Sequence, residues 1–318
     1  MILDTARGLA IGLALVFGAA GLAARAEPAA RPPATAVLEA ARASVVAVLP
    51  DWPDGEVNTE EPEGSAVAIA ETGLLLTADH VLGRATEARV RLGDGRVLPA
   101  RIVARDRATD LAVLSVKADL PGLSFGGDPD LGEPVCALGN TFGLGISVSC
   151  GIVSATGRGG IGFNAVEDFV QTDAAVNPGA SGGALIDASG RLVGVLSAIF
   201  TKAGDGDLGV NFAVSAALSQ RVLEAVRADR SPRRSLGLRA RPTPPGPERP
   251  GLEVLSVAPD GAAAAAGIAP GDVVLALDGW PVRTLAGLRG RLERADAQGR
   301  VLLRSGDETR ALDLELED

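Results

Sequence analysis

Only one histidine, His80, occurs in the 318 residues of this chain. Any reaction that needs an imidazole must therefore use it. There are two cysteines, Cys136 and Cys150, and they form no C-x-x-C pair. One histidine without a cysteine cluster argues against a structural zinc site. No metal ligands and no cofactor are expected. Tyrosine is missing and aromatic residues make up 3% of the chain, so the core must be built from Val, Leu, Ile and Ala. Lys117 and Lys202 are the only lysines, and the formal net charge is −10. That balance excludes a general nucleic-acid role.

What is present is enough apolar sequence for a real core, 47% of residues, over a length that predicts two domains behind a leader. Residues 8–23 are an apolar run, short for a full membrane span, and Ala24-Arg25-Ala26 offers an A-x-A cleavage site. Residues 1–26 thus read as an export signal or, if retained, as a membrane anchor. Residues 27–36 are a proline-containing tether. From 37 to 229 short apolar runs alternate with Gly, Asp and Asn, at 44–49, 65–69, 74–77, 88–92, 111–116, 135–138, 147–154, 184–186 and 192–197. Many closely spaced strands with glycine turns predict an antiparallel barrel or sandwich. Residues 37–42 and 215–228 have helical spacing instead.

Residues 230–318 read as a linker and a separate small domain. A strand is expected at 235–238, then a proline-rich loop at 241–251, strands at 252–257, 273–277, 301–305 and 311–316, and helices over the five alanines and over 285–295. The arginine-rich junction 227–241 reads as a solvated linker rather than a basic patch, because Asp229, Ser231 and Pro232 interrupt it. The two cysteines flank Gly139-Asn140-Thr141-Phe142-Gly143, a hairpin turn. A cross-strand bridge would fit there, but the reading preferred from sequence is two small buried apolar residues.

The chemistry lies in three local contexts, in chain order: Thr77-Ala78-Asp79-His80-Val81, Thr109-Asp110-Leu111-Ala112-Val113, and Asn177-Pro178-Gly179-Ala180-Ser181-Gly182-Gly183. A serine hydroxyl is a poor nucleophile until a positioned base takes its proton. A neutral imidazole titrates in the right range to do so, and a carboxylate holds its tautomer. Ser181, His80 and Asp110 are the candidate catalytic residues. Among rival carboxylates, Asp79 would point away if its segment were extended, Asp106 lies in a polar stretch expected to be solvated, and Asp173 lies in a substrate-side loop. Asp110 leads straight into the apolar run 111–116. Gly179 and Ser181 would supply backbone N–H groups for an oxyanion hole. Alone, a Gly-Ala-Ser-Gly-Gly stretch is a flexible turn and a lone histidine is structural; the ordered trio describes a serine hydrolase.

These motifs resemble the HtrA (high-temperature requirement A, Deg) family of ATP-independent serine proteases. Further similarity lies in Ala137-Leu138-Gly139-Asn140-Thr141-Phe142-Gly143-Leu144, in Gln171-Thr172-Asp173-Ala174-Ala175-Val176-Asn177, and in Gly209-Val210-Asn211-Phe212-Ala213-Val214. The C-terminal unit, with Leu236-Gly237-Leu238 and Ala266-Gly267-Ile268-Ala269-Pro270-Gly271-Asp272, is similar to a PDZ domain. The resemblance implies a mainly β chain: a chymotrypsin-like double β-barrel protease domain followed by a single PDZ domain. It implies cleavage of misfolded or regulatory envelope proteins in the periplasm, without ATP or metal. It further implies a sensor loop at 157–164 and a substrate-pairing strand within 196–207, with Ser197, Ala198 and Ile199 lining a site for a small aliphatic residue.

On the PDZ side the resemblance implies that Leu236, Gly237 and Leu238 bind a peptide carboxylate, with Leu288 and Leu292 as apolar wall. It implies partners that are unfolded or expose a C-terminus. The family often forms homotrimers through aromatics near the start of the protease domain, and residues 34–49 contain none. Three departures stand out: Ala180 where Asn is usual, Ala184 where Pro is usual, and Thr141 where Pro is usual. Two other readings stay open: an exported peptide-binding scaffold or holdase with little basal proteolysis, and an inner-membrane-anchored protease acting on one substrate.

Overall fold

The computed structural model describes residues 31–52, 63–70, 73–199, 209–230, 234–246, 250–295 and 297–316, without the side chains of 198 and 199. The leader, the first four residues of the tether and most of the 50–63 loop lie outside the described residues. Among the described residues no helix is long and apolar enough to cross a membrane.

After a short helix α1 (Thr35–Arg42), six strands close a first barrel: β1 (Val45–Asp51), β2 (Gly64–Ile69), β3 (Leu74–Ala78), β4 (Glu87–Arg91), β5 (Val97–Asp106) and β6 (Leu111–Val116), in the order β1-β2-β3-β6-β5-β4. A one-turn helix α2 (Asp79–Leu82) follows β3. The second barrel is β7 (Pro134–Gly139), β8 (Ser147–Arg158), β9 (Phe169–Thr172), β10 (Ala184–Ile186), β11 (Leu192–Ile199) and β12 (Asn211–Ser215), in the order β10-β11-β12-β9-β8-β7. Valine, alanine and leucine make up most of the buried strand positions, and the branched valines suit a pleated surface. Strands β5 and β9 went unnoticed in the sequence. In β5 only Ala100 is fully buried and Arg101, Arg105 and Asp106 interrupt the pattern, so no clean alternation exists to read.

One core joins the barrels. Val45, Val67, Leu76, Leu111 and Val113 of the first meet Leu138, Phe169, Leu192, Val195 and Phe212 of the second, together with Leu218 and Val222 of helix α3 (Ala216–Arg227). The Ser215 side chain caps α3 by accepting from Leu218 N at 3.2 Å. A seam so filled fixes the two barrels relative to one another, and anything built across it inherits that rigidity.

The C-terminal unit is a six-stranded sheet: β13 (Leu238–Pro242), β14 (Leu252–Val257), β15 (Val273–Leu277), β16 (Trp280–Pro281), β17 (Gln298–Ser305) and β18 (Glu308–Glu315), with helices α4 (Ala262–Ala265) and α5 (Leu285–Arg294). Three expectations need correction. The strand expected at 235–238 begins at Leu238 and runs into the expected loop, whose neck is closed by Thr243 N on Gly251 O at 2.9 Å. The arginine junction is not all solvated linker: Arg234 is buried, its amide donating to Glu293 Oε1 at 2.9 Å. Cys136 and Cys150 face each other across β7 and β8 and form a disulfide. Cys136 is buried but Cys150 is exposed, so the pair is a bridge on a barrel face rather than two core residues.

Candidate active site

His80 lies in α2, directly after β3. Asp110 ends the tight turn between β5 and β6 with φ 61°, a left-handed backbone that Asp tolerates better than most residues. Asp106 holds that turn, accepting from Ala108 N at 3.2 Å and from Thr109 Oγ1 at 2.9 Å; it is a partly buried turn cap rather than a solvated residue. From this turn the Asp110 carboxylate reaches His80 twice. Oδ1 accepts from the His80 amide at 2.9 Å, and Oδ2 lies 2.7 Å from Nδ1. An ionised carboxylate only accepts, so the ring proton belongs on Nδ1 and the lone pair on Nε2. The His80 side chain is 41% exposed and that of Asp110 12%, leaving the ring open on one side.

Asp79 is set aside by a different route from the one expected. Its segment is helical, not extended, and its buried carboxylate is taken by Arg105 Nε. The same guanidinium donates to Gly83 O at 2.8 Å and Asp79 O at 3.2 Å, clamping both ends of α2. Asp173 faces elsewhere, accepting from Ile152 N at 2.7 Å.

Ser181 is 6% exposed and sits where the barrels meet. Its carbonyl accepts from Ser65 N of β2 at 2.8 Å. Next to it Gly182 has φ 83°, and a Cβ there would lie 2.1 Å from Ser65 O, 2.4 Å from Thr77 Oγ1 and 2.9 Å from Ala78 N. Only glycine lets this loop lie flat on β2 and β3, the strand that runs into His80. Gly179 has φ 92°, and the preceding Pro178 carbonyl accepts from Phe142 N at 2.8 Å. In a trans peptide the Gly179 N–H therefore points away from Phe142.

Four residues not singled out in the sequence brace this loop. Ser65 Oγ donates to Gly179 O at 2.7 Å and accepts from Asn140 N at 2.8 Å. The Asn140 side chain donates to Glu63 at 2.8 Å, and Arg91 pairs with the same carboxylate. Burial alone would raise the Glu63 pKa, but hydrogen bonds from Arg91 and Asn140 outweigh it and hold the group below its ordinary value. Asn140 could have been suspected from its place in the 139–143 turn; nothing local marks Ser65, Glu63 or Arg91.

The expected substrate-side residues divide. Ser197 Oγ donates to Asp110 Oδ2 at 2.7 Å, so its hydroxyl is committed to the acid. A register shift between Leu196 and Ala198 turns it that way. The Ala198 and Ile199 side chains lie outside the described residues.

In the second domain Gly237 has φ 70°, Leu236 O accepts from Ala263 N at 2.9 Å, and β13 is an edge strand. Leu236, Leu288 and Leu292 are core residues, each at most 3% exposed, so the expected apolar wall is closed onto the core. Helix α5 is also turned toward the barrels and packs on α3. Glu167 N donates to Ala286 O at 3.1 Å, while Arg294 and Arg291 face Asp168 at 2.8 and 3.4 Å. Burial lowers the Arg291 pKa more than Asp168 raises it, whereas for Arg294 the carboxylates of Asp168 and Asp128 overcome burial.

Residues 64–195 match the trypsin-like peptidase domain and residues 253–305 the PDZ domain. A probable periplasmic serine endoprotease, DegP-like, of Halomonas elongata is 38% identical over 275 residues, 81% of this chain and 58% of that protein. The serine endoprotease DegS of Escherichia coli K12 is 37% identical over 232 residues, 69% of this chain and 65% of that protein. The chain thus spans about three fifths of the length of these curated relatives. A solved HtrA-type protease, AlgW with tripeptide, superposes with a TM-score of 0.68 at 35% identity, over 89% of this chain and 97% of that one. The chain belongs to the HtrA/Deg family of serine proteases, with a trypsin-like peptidase domain followed by a PDZ domain.

Proposed function

We propose that this chain is an ATP- and metal-independent serine endopeptidase of the bacterial periplasm, acting on misfolded or regulatory envelope proteins. The observation that carries the reading is the Asp110 carboxylate, bonded at once to His80 Nδ1, the His80 amide and Ser197 Oγ, at the seam that also holds Ser181. His80 Nε2 takes the Ser181 proton as Oγ attacks the peptide carbonyl, and returns it to the leaving amine. Water then opens the acyl-enzyme by the same route. The amides of Gly179 and Ser181 stabilise the oxyanion, each contributing about 3–4 kcal/mol. The left-handed backbone of Gly179 and the pinned Pro178 carbonyl support that role.

A small aliphatic residue at the cleavage position now rests on Ala198 and Ile199, because the Ser197 hydroxyl is committed to Asp110. A cleavage profile favouring Arg or Lys there would overturn it. The solved AlgW complexes carry a tripeptide and a decapeptide, and edge strand β13 offers the place where a peptide strand would add.

The test is degradation of an unfolded model protein by the wild type and by Ser181→Ala, with fluorophosphonate labelling of both. Cleavage and labelling confined to the wild type support the reading. A wild type that neither cleaves nor takes the label overturns it in favour of a scaffold or holdase.

A further inference from the structure

The loop between β8 and β9 is folded around a single carboxylate. Glu167 is 1% exposed. Its Oε2 accepts from the amides of Gly160 and, at 2.8 Å, Ile161; its Oε1 accepts from Gly162 and Phe163 at 2.8 Å and from Asn164 at 3.1 Å. Five consecutive amides converge on one charge because Gly160 and Gly162 have φ of 82° and 96°, which turns their N–H groups to the same side. A neutral amide in place of the carboxylate would set its own N–H₂ against two or more of these amides.

This loop reaches back to the first barrel. Asn164 Nδ2 donates to Thr109 O at 3.2 Å, and Val166 N donates to Ala108 O at 2.8 Å. Those two carbonyls belong to the residues immediately before Asp110, in the turn whose left-handed end aims the carboxylate at His80. Phe163 adds an apolar hold, its ring 6.3 Å from Phe169 and 5.9 Å from Phe212, both in the shared core.

We propose that Glu167 is a positioning residue for Asp110: its charge orders residues 160–164, and the ordered loop fixes the 106–110 turn from which Asp110 holds His80. The inference rests on the reading of Ser181, His80 and Asp110 as the catalytic groups. The loop thereby reaches the acid that orients the base, across the seam between the barrels.

The experiment compares the full-length wild type with Glu167→Gln, Glu167→Asp and Asn164→Ala. Three quantities are read: kcat and KM on a short peptide, the rate of fluorophosphonate labelling at Ser181, and the downfield proton resonance of the histidine Nδ1. That resonance is unambiguous because His80 is the only histidine. The expected fall in kcat and labelling rate for Glu167→Gln is about 10- to 100-fold, as for a reacting group misplaced by about 1 Å, with KM within about twofold. The His80 resonance should shift or broaden with it, and Glu167→Asp should recover part of both. Asn164→Ala leaves the carboxylate and its amides in place and should give a smaller loss in the same direction. A folded Glu167→Gln with unchanged kcat and an unchanged His80 resonance overturns the proposal. If that variant does not fold, an unchanged Asn164→Ala overturns it. Absence of the resonance from the wild type does so as well. A wild type that fails to label at Ser181 instead removes the catalytic reading beneath it.

Discussion

The two halves of the site are positioned by different physics. On the second barrel, the Ser181 loop is placed by what is missing: Gly182 and Gly183 have no side chains, and a Cβ on either would run into Ser65, Thr77 or Leu138. On the first barrel, His80 and Asp110 are placed by polar side chains, with Arg105 and Asp79 around α2 and Asp106 under the turn. Steric placement is all-or-none, since packed atoms leave no intermediate position. Polar placement is graded, since each hydrogen bond can be removed singly at a cost of about 1–3 kcal/mol.

Four changes break or sharpen that contrast. Gly182→Ala should have the largest effect. Its Cβ would fall 2.1 Å from a backbone oxygen at φ 83°, and backbone cannot step aside. The expected cost is about 3–5 kcal/mol of stability, from strain and overpacking together, with labelling at Ser181 abolished. Urea unfolding and the labelling assay check it; near-normal values for both would mean the loop is not held sterically.

Asp110→Asn acts on the graded side. It removes the acceptor on which His80 Nδ1–H depends while keeping the shape, so kcat should fall by about 10⁴ with a much smaller loss of stability. A fall of tenfold or less on a peptide substrate would show that another group orients the ring.

Ser65→Ala probes the join between the two modes, because Ser65 Oγ links Asn140 N to Gly179 O. Two buried backbone groups lose this partner, at about 2–3 kcal/mol in total. If Gly179 is an oxyanion donor, kcat should also fall by about tenfold while KM holds, a fraction of the 10²–10³ that such a donor supplies. A change in stability alone would place Ser65 outside the catalytic step.

The smallest effect concerns pH. The Glu63 carboxyl is held below its ordinary value of 4.5 by Arg91 and Asn140. A lowered folded-state pKa contributes stability above the unfolded value and loses it as pH falls through the folded value. Wild type should therefore exceed Glu63→Gln by about 0.5–1 kcal/mol at neutral pH, and the gap should close as the pH drops below 4.5. Melting temperatures from pH 3 to 7 would show it; a gap that persists in acid would mean the charge is not what Glu63 contributes.

Much of the architecture was legible because it is written in short contiguous stretches. Runs such as 111–116 and 192–197 alternate or stay apolar over the length of a strand, and the motifs around His80, Asp110 and Ser181 are each local. Elements whose strand character depends on partners were not. β5 carries Arg101 and Arg105 among its apolar residues and shows no pattern of its own. The cysteine bridge follows from the pairing of Cys136 with Cys150, a matter of register between strands. Leu288 and Leu292 lie on a helix face that reads the same whether it lines a groove or fills a core, and the fold fills the core.

By itself, then, the sequence determined the kinds of groups available: one imidazole, one serine among glycines, a carboxylate entering a strand, and a second domain of PDZ type. Tertiary structure alone decided which of them meet. Ser197 turned from the substrate side to Asp110, Asp79 went to Arg105, Glu167 gathered the amides of its loop, and Asp168 drew α5 of the second domain onto the first. The physical reason is common to all four. A polar group removed from water must find a partner within about 3 Å, and which partner is that close depends on strands and loops distant in sequence.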